Sequence, residues 1–403
     1  MSHITIRSAG TGTARVRVPM SKSVANRALI LAAQCGGLEQ VQGLPDAGDT
    51  QGLLLNLKER GQLMDCGDGG TTLRFLLAWA AVQRGEERLI TGSQDLMKRP
   101  HAPLVKALCA LGASISTTMS GYLVKGKELD RGELELQDAM SSQYLSALML
   151  VAGSMKQGLR IRWTGKRLST PYVQMTAKVM ERFGIPAEID AEGVYVPPAA
   201  PHSVDFEVPG DWSAAAFWFE WAALSAEREL VLEGLELDGL QGDEACLRLW
   251  SPFVTATKRS GSLVVRANQA IDRSALHAFD LTETPDLFQP LAFTCAGLGV
   301  KAAFTGLDNL HLKESDRIAA VAGALKELGV EHDRSGSALR IGGPIGKKQP
   351  KPFDPRNDHR MAMALAPLAA VCESIRITDH EVVKKSYPGY WQDLTGAGWR
   401  TAL

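Results

Sequence analysis

The chain has 403 residues, enough for two ordinary domains or several smaller units. Hydrophobic residues make up 45% and charged residues 22%, which supports a packed core and argues against disorder. A net charge of −1 excludes a general basic field for nucleic acid or membrane surfaces, so any anion site has to be local. The six cysteines show no C-x-x-C pair and no Cys/His ligand spacing, so they read as reduced, buried residues of a cytoplasmic protein. The start "MSHITIRSAG" lacks the apolar core of a signal peptide, and "MAMALAPLAAVC" is too short to cross a bilayer, which takes about 20 residues.

The first predicted helix runs from Val24, with Ser21 or Ser23 as a suitable N-cap. Lys22 stands just before it and Arg27 in its first turn, where a cation ordinarily costs from a few tenths to about 1 kcal/mol. A helical pattern with a Gly stop and a short strand then recurs at 53–64, 104–115, 176–189, 321–333 and 390–403. Each copy places a glycine where a left-handed C-cap is wanted: Gly61, Gly112, Gly184, Gly329 and Gly398. A degenerate sixth copy, "CLRLWSPFVTATKRSG", fills the double gap between Gly184 and Gly329. Six α/β units, three per half, are expected, with a seam near the proline-rich stretch 196–213. "SSQYLSALMLVAG" and "RMAMALAPLAAVC" are apolar nearly all round and should be buried helices.

Cations recur at the later helix starts. "DGGTTLRFLLAWAA" offers Thr71 or Thr72 as cap and Arg74 in the first turn; "KESDRIAAVAG" offers Ser315, then Arg317, with Lys313 upstream. "RNDHRMAM" has Asn357 or Asp358, then His359 and Arg360; "MSSQYL" supplies Ser141, Ser142 and Gln143; "LSTPY" supplies Ser169 and Thr170 ahead of Pro171. Free N–H groups, hydroxyls and cations aimed at one spot make an anion pocket. No G-x-x-x-x-G-K-[ST] loop is present, so it is not a nucleotide P-loop. A ligand with several anionic groups, met by several helix ends, implies a cleft between two halves that closes on it. Glu314 and Asp286 stand among these cations as candidate base and acid, or as helix-capping residues.

"SKSVANR", "DGGTTLR", "MKRP", "SSQYL", "STPY", "PD", "DNLHLKESDR", "NDHRMAM" and "KSYP" occur in the order found in the 5-enolpyruvylshikimate-3-phosphate synthase family, which the chain resembles from residue 18 to about 390. The resemblance implies a mixed α/β fold of two domains, an inside-out α/β barrel with three βαβαββ copies per domain and the active site in the interdomain cleft. One domain would span 19–209, and the other 1–18 with 210–403. The implied reaction moves the enolpyruvyl group of phosphoenolpyruvate to the 5-hydroxyl of shikimate 3-phosphate and releases phosphate, in the shikimate route to aromatic amino acids. Protonation at C3, addition to a tetrahedral ketal and C–O cleavage need no metal and no cofactor. The implied partners are these two small molecules only, without nucleic acid or membrane, and the implied state is a monomer.

Carried over by motif, Lys22, Ser23, Arg27, Ser141, Ser142, Gln143, Ser169, Asn309 and Lys313 would hold shikimate 3-phosphate, with Tyr172 under its ring. Lys22, Gly70, Arg99, Gln143, Arg317, Arg360 and Lys385 would hold phosphoenolpyruvate, while Arg74 supports the "GGTT" turn. Asp286 would receive the 5-hydroxyl proton and Glu314 would shuttle a proton at C3; Lys22 and Lys385 join them as catalytic groups. The chain departs from the family pattern at Met20 (a common Gly), Asp68 (Asn), Phe75 (often Pro), His311 (Arg) and a shortened "MKRP". A negative charge at Asp68 should weaken anion binding unless it points away. The sister transferase acting on UDP-N-acetylglucosamine has a Lys-Asn pair where Lys22-Ser23 stand and a loop cysteine without counterpart here. The RNA 3′-phosphate cyclase shares the repeat but needs a nucleotidylated histidine, and His359 sits in another motif. A catalytically dead phosphate-metabolite binder is disfavoured because both Asp286 and Glu314 are present.

Overall fold

The computed structural model describes residues 3–8, 12–137, 142–165, 170–226 and 228–402. The chain divides into two compact units, Met20–Pro209 and a second made of Met1–Pro19 with Gly210–Leu403.

Within Met20–Pro209, one sheet has the order Leu63–Asp65, Glu87–Thr91, Tyr122–Lys125, Ser114–Thr117. Its first pair is parallel and the other two are antiparallel. A parallel neighbour needs a long crossover, which the helix Gly70–Ala81 supplies, whereas an antiparallel neighbour needs only a turn. The strands Glu133–Gln137, Leu159–Thr164, Gly193–Val196 and Glu188–Ile189 repeat this order and polarity, with Ser142–Ala152 as crossover. The third set is reduced to the parallel pair Val41–Gln42 and Phe206–Glu207 beside the helices Lys22–Cys35 and Gly48–Glu59.

The other unit carries the same pattern. Gly12–Arg17 runs parallel to Arg228–Glu233, which pairs antiparallel with Ser262–Ala267 and so to Val254–Arg259. The last two strands are joined by Ser260 and Gly261, both at positive φ (45° and 80°), the conformation a two-residue hairpin requires. Leu276–Asp280, Lys301–Thr305, Ala338–Ile341 and His332–Ser335 form the next copy. The degenerate copy foreseen at 246–261 is real: its second helix shrinks to Cys246–Leu249. A three-stranded antiparallel sheet, Ile375–Thr378, His3–Arg7 and Arg400–Ala402, completes the unit.

Helix ends follow the glycines with one exception. Gly112, Gly184, Gly329 and Gly398 have positive φ, but Gly61 does not. There the left-handed residue is Arg60 (φ 49°), whose N–H closes on the Asn56 carbonyl. Its guanidinium donates to the Ala33 carbonyl at 3.0 Å and lies over Trp79, so tertiary contacts offset a strain on the order of 1 kcal/mol. The helices Trp212–Leu224 and Phe288–Leu298 are buried on nearly every side and form the centre of their unit's core. Cys109 corrects the expectation of buried cysteines: it faces solvent on Ala102–Ala110, whose inner face is Leu104, Ala107 and Leu108. Among the described residues no helix is long and apolar enough to cross a membrane.

Candidate active site

In the unit Met20–Pro209 the first helix begins at Lys22, two residues earlier than its sequence suggests, which puts Arg27 in the second turn. Ser21 occupies the N-cap position, but its buried hydroxyl makes no cap bond. Lys22 Nζ donates to Asp49 Oδ2 at 3.1 Å. Asp49, buried at the start of Gly48–Glu59, also takes the Thr72 hydroxyl on its carbonyl at 2.8 Å. Thr72 is therefore a brace and not a cap; the helix starts at Gly70 with Gly69 before it and no side-chain cap. A Cβ on Gly70 would lie 3.2 Å from Nη1 of both Arg74 and Arg99, so two guanidiniums converge over this helix start. Arg74 also donates to Gln143 Oε1 and lies over the Tyr144 ring. Gly70, Arg99 and Gln143 are thus brought together, with Arg74 as their link.

Arg27 is 2% exposed. Its donors go to Thr176 Oγ1 (2.8 Å), Ser146 Oγ (2.9 Å) and the Ser23 carbonyl (2.6 Å), and it lies between the rings of Phe75 and Tyr172. Burial pulls its pKa down to about 10, against the opposing influence of Tyr172. Ser142 opens its helix and is nearly buried. Ser141 and Ser169 lie outside the described residues.

The other unit assembles the second half of the predicted residues around Arg317, the first residue of Arg317–Glu327. The cap there is Asp316, which accepts from the Ala319 N–H at 3.0 Å, while Ser315 donates to Asp358 at 3.2 Å. Asp358 caps His359–Leu365 through the Arg360 N–H. Three carboxylates converge on Arg317: Asp286 at 2.6 Å, Asp358 at 2.8 Å and Glu314 at 3.0 Å. Lys313 and Arg360 each reach Asp286 at 3.4 Å, and Lys385 reaches Glu314 at 3.2 Å. Arg360 also donates to Ser213 Oγ at 3.0 Å, and Ser213 in turn donates to Asp243. Asn309 is half-buried just before the short helix Leu310–Leu312.

The cations expected to line an anion pocket at these helix starts are thus already paired with carboxylates. Arg317 is buried, and an arginine without a counter-charge would be costly there; Asp286, Glu314 and Asp358 supply it. Burial pushes the Asp286 carboxyl up, but Arg360, Lys313 and Arg317 together hold it well below the usual carboxylate range. Asp243 goes the other way: burial, aided by the charge of Asp286, raises it to about 6 despite Arg360 and Ser213. Burial would lower Arg317, and the carboxylates of Asp358, Glu314 and Asp286 more than reverse that.

The sequence profile of the EPSP synthase (3-phosphoshikimate 1-carboxyvinyltransferase) family matches residues 55–394. The chain belongs to the EPSP synthase family. It is 37% identical over 402 residues to a 3-phosphoshikimate 1-carboxyvinyltransferase of Bacteroides fragilis, covering 96% of this chain and 95% of the relative. A Dehalococcoides mccartyi enzyme of the same name is 34% identical, with 95% of each chain covered. An EPSP synthase structure from Acinetobacter baumannii superposes over the whole of both chains with a TM-score of 0.81 at 20% identity. The enolpyruvyl transferase NikO of Streptomyces tendae gives 0.74 at 15%, covering 99% and 98%; at such identities these two show the fold alone. EPSP synthases transfer the enolpyruvyl group of phosphoenolpyruvate to shikimate 3-phosphate.

Groups that sequence reasoning missed stand against the motif residues in each unit: Asp49, Ser146 and Thr176 beside Lys22 and Arg27 in one, Ser213 and Asp243 beside Arg360 in the other. Asp358 was seen only as a cap. The acids that pair with Lys22 and Arg317 stand far from them in sequence, as with Lys22 and Asp49 or Arg317 and Asp358.

Proposed function

We propose that this chain catalyses enolpyruvyl transfer from phosphoenolpyruvate to the 5-hydroxyl of shikimate 3-phosphate through a tetrahedral ketal, as a cytoplasmic monomer. Lys22, Ser23, Arg27, Ser142, Gln143, Tyr172, Asn309 and Lys313, with Ser141 and Ser169, form the shikimate 3-phosphate set. Gly70, Arg99, Gln143, Lys22, Arg317, Arg360 and Lys385 form the phosphoenolpyruvate set.

The observation that carries this reading is the clustering of both proton-transfer candidates on shared cations: Asp286 and Glu314 meet on Arg317, flanked by Lys313, Arg360 and Lys385. Held so far down in pKa, Asp286 is a weak base in the ligand-free protein. Anionic substrates compete with it for the same cations. Once the carboxylate of phosphoenolpyruvate takes Arg360 and an edge of Arg317, and shikimate 3-phosphate takes Lys313, Asp286 loses its counter-charges and its basicity rises. It then accepts the 5-hydroxyl proton, and the 5-hydroxyl oxygen bonds to C2. Glu314, which takes up a proton from water once the substrates have drawn Arg317 and Lys385 away from it, gives that proton to C3. In the second step the C2–O bond to phosphate breaks as the Glu314 carboxylate takes a proton from C3, and the proton held by Asp286 leaves with the phosphate. Each proton transfer is worth roughly 10²–10⁴ in rate, and positioning of the two substrates more.

The test is phosphate release from phosphoenolpyruvate in the presence of shikimate 3-phosphate. Release that depends on shikimate 3-phosphate is expected; release that depends instead on UDP-N-acetylglucosamine would transfer the chain to the sister reaction. Glu314→Gln should fold and bind both substrates yet lose at least about 10²-fold in turnover, and near-normal turnover would remove it from the proton path.

A further inference from the structure

Asp68 puts a carboxylate two residues ahead of Gly70, where the guanidiniums of Arg74 and Arg99 converge and where the proposed function places an anionic substrate. Left facing that anion, its charge would oppose binding. The structure turns it elsewhere: the Ser93 hydroxyl donates to Asp68 Oδ1. A hydroxyl has one proton and two lone pairs, so committing the proton to Asp68 leaves a lone pair for the Leu96 N–H, which donates to Ser93 Oγ at 3.2 Å. Ser93 is thereby the N-cap of the short helix Gln94–Met97.

The two turns are also locked through their backbones. The Ser93 N–H donates to the Gly67 carbonyl at 2.8 Å, and the Cys66 N–H to the Thr91 carbonyl at 2.9 Å. A Cβ on Gly92 would come within 2.8 Å of the Gly67 carbonyl oxygen and 2.7 Å of Leu96 Cδ2, so this position tolerates no side chain without displacement. From Leu96 the chain passes directly to Arg99, whose N–H donates to the Leu96 carbonyl at 3.1 Å. Buried His101 holds the same carbonyl through Nε2 at 2.8 Å, and the Tyr144 hydroxyl holds Pro100. Asp68, Ser93 and Leu96 therefore form a continuous strut from the turn before Gly70 to the segment that carries Arg99 back over Gly70.

We propose that Asp68, engaged by Ser93, is a positioning residue that sets Arg99 over the helix start at Gly70 for the phosphate of phosphoenolpyruvate, and that this engagement keeps its own charge off the anion. The inference rests on the enzymatic reading above. The role asks of residue 68 an acceptor oxygen and not a charge.

The test joins steady-state kinetics to hydrogen exchange of the 93–101 segment in the ligand-free protein. Ser93→Ala and Asp68→Ala should each raise the KM for phosphoenolpyruvate about tenfold, with kcat within about twofold and the KM for shikimate 3-phosphate unchanged. The double variant should be no worse than the worse single one, since both break one strut. Ser93→Thr should restore the wild-type value, and Asp68→Asn, which keeps the acceptor and sheds the charge, should match or lower it. Exchange at 93–101 should quicken in both alanine variants. Additive effects, a fall in kcat without a change in KM, an Asp68→Asn variant as impaired as Asp68→Ala, or unchanged exchange would each overturn the proposal. Wild-type protein that fails to turn over would instead remove the reaction, and exchange in the variants would still decide whether the strut exists.

Discussion

Arg27 and Arg317 are both buried arginines near the start of a helix, in its second turn and its first, yet their surroundings are opposites. Arg27 is met by two hydroxyls, a carbonyl and two ring faces, and burial drags its pKa down. Arg317 is met by three carboxylates, which push its pKa up. A cation among neutral dipoles has spare attraction for an incoming anion. One among carboxylates has already used it, and gives anions a route in only by exchange with an acid. The first arrangement suits holding a phosphorylated substrate. The second suits coupling the arrival of substrate to the release of a base.

The largest effect should come from removing the shared counter-charge. Arg317→Met leaves Asp286, Glu314 and Asp358 facing one another, at a cost of about 3–5 kcal/mol that thermal unfolding would register. Arg27→Met should cost less, about 1–2 kcal/mol, because Ser146 and Thr176 already stand 2.8 Å apart and can satisfy each other. An inverted order would break the comparison. Smaller and opposite in sign are two pH effects, read by urea unfolding from acid to neutral pH. Asp286, depressed in the folded state, stabilises above its unfolded pKa and loses that contribution as pH falls through its folded value. Asp286→Asn should therefore flatten the acid limb below about pH 4. Asp243, raised to about 6, favours the fold below its unfolded pKa, and that contribution disappears as pH rises through about 6. Asp243→Asn should remove a loss of about 2 kcal/mol between about pH 4 and pH 6.

Much of this was legible in the sequence because it is local. The period of the apolar residues and the spaced glycines gave the repeat, and four copies carry the same sheet order. The motif residues Gly70, Arg99 and Gln143, and separately Asp286, Glu314, Arg317, Arg360 and Lys385, are brought together in their units. Caps were less legible. Thr72 and Ser315 have the right chemistry for capping but are taken by Asp49 and Asp358, contacts across 23 and 43 residues that no local rule weighs. Charge pairing was least legible for the same reason: a Lys or Arg at a helix start does not reveal which distant carboxylate faces it.

The exchange of Asp286 for substrate on Arg360 and Arg317 is best tested by following the Asp286 carboxyl by carbon-13 NMR in Glu314→Gln protein, where bound substrates persist. The ligand-free protein should show Asp286 titrating well below the usual carboxylate range, and saturating phosphoenolpyruvate with shikimate 3-phosphate should move it clearly upward. An Asp286 that titrates at the same pH with both substrates bound would contradict the account.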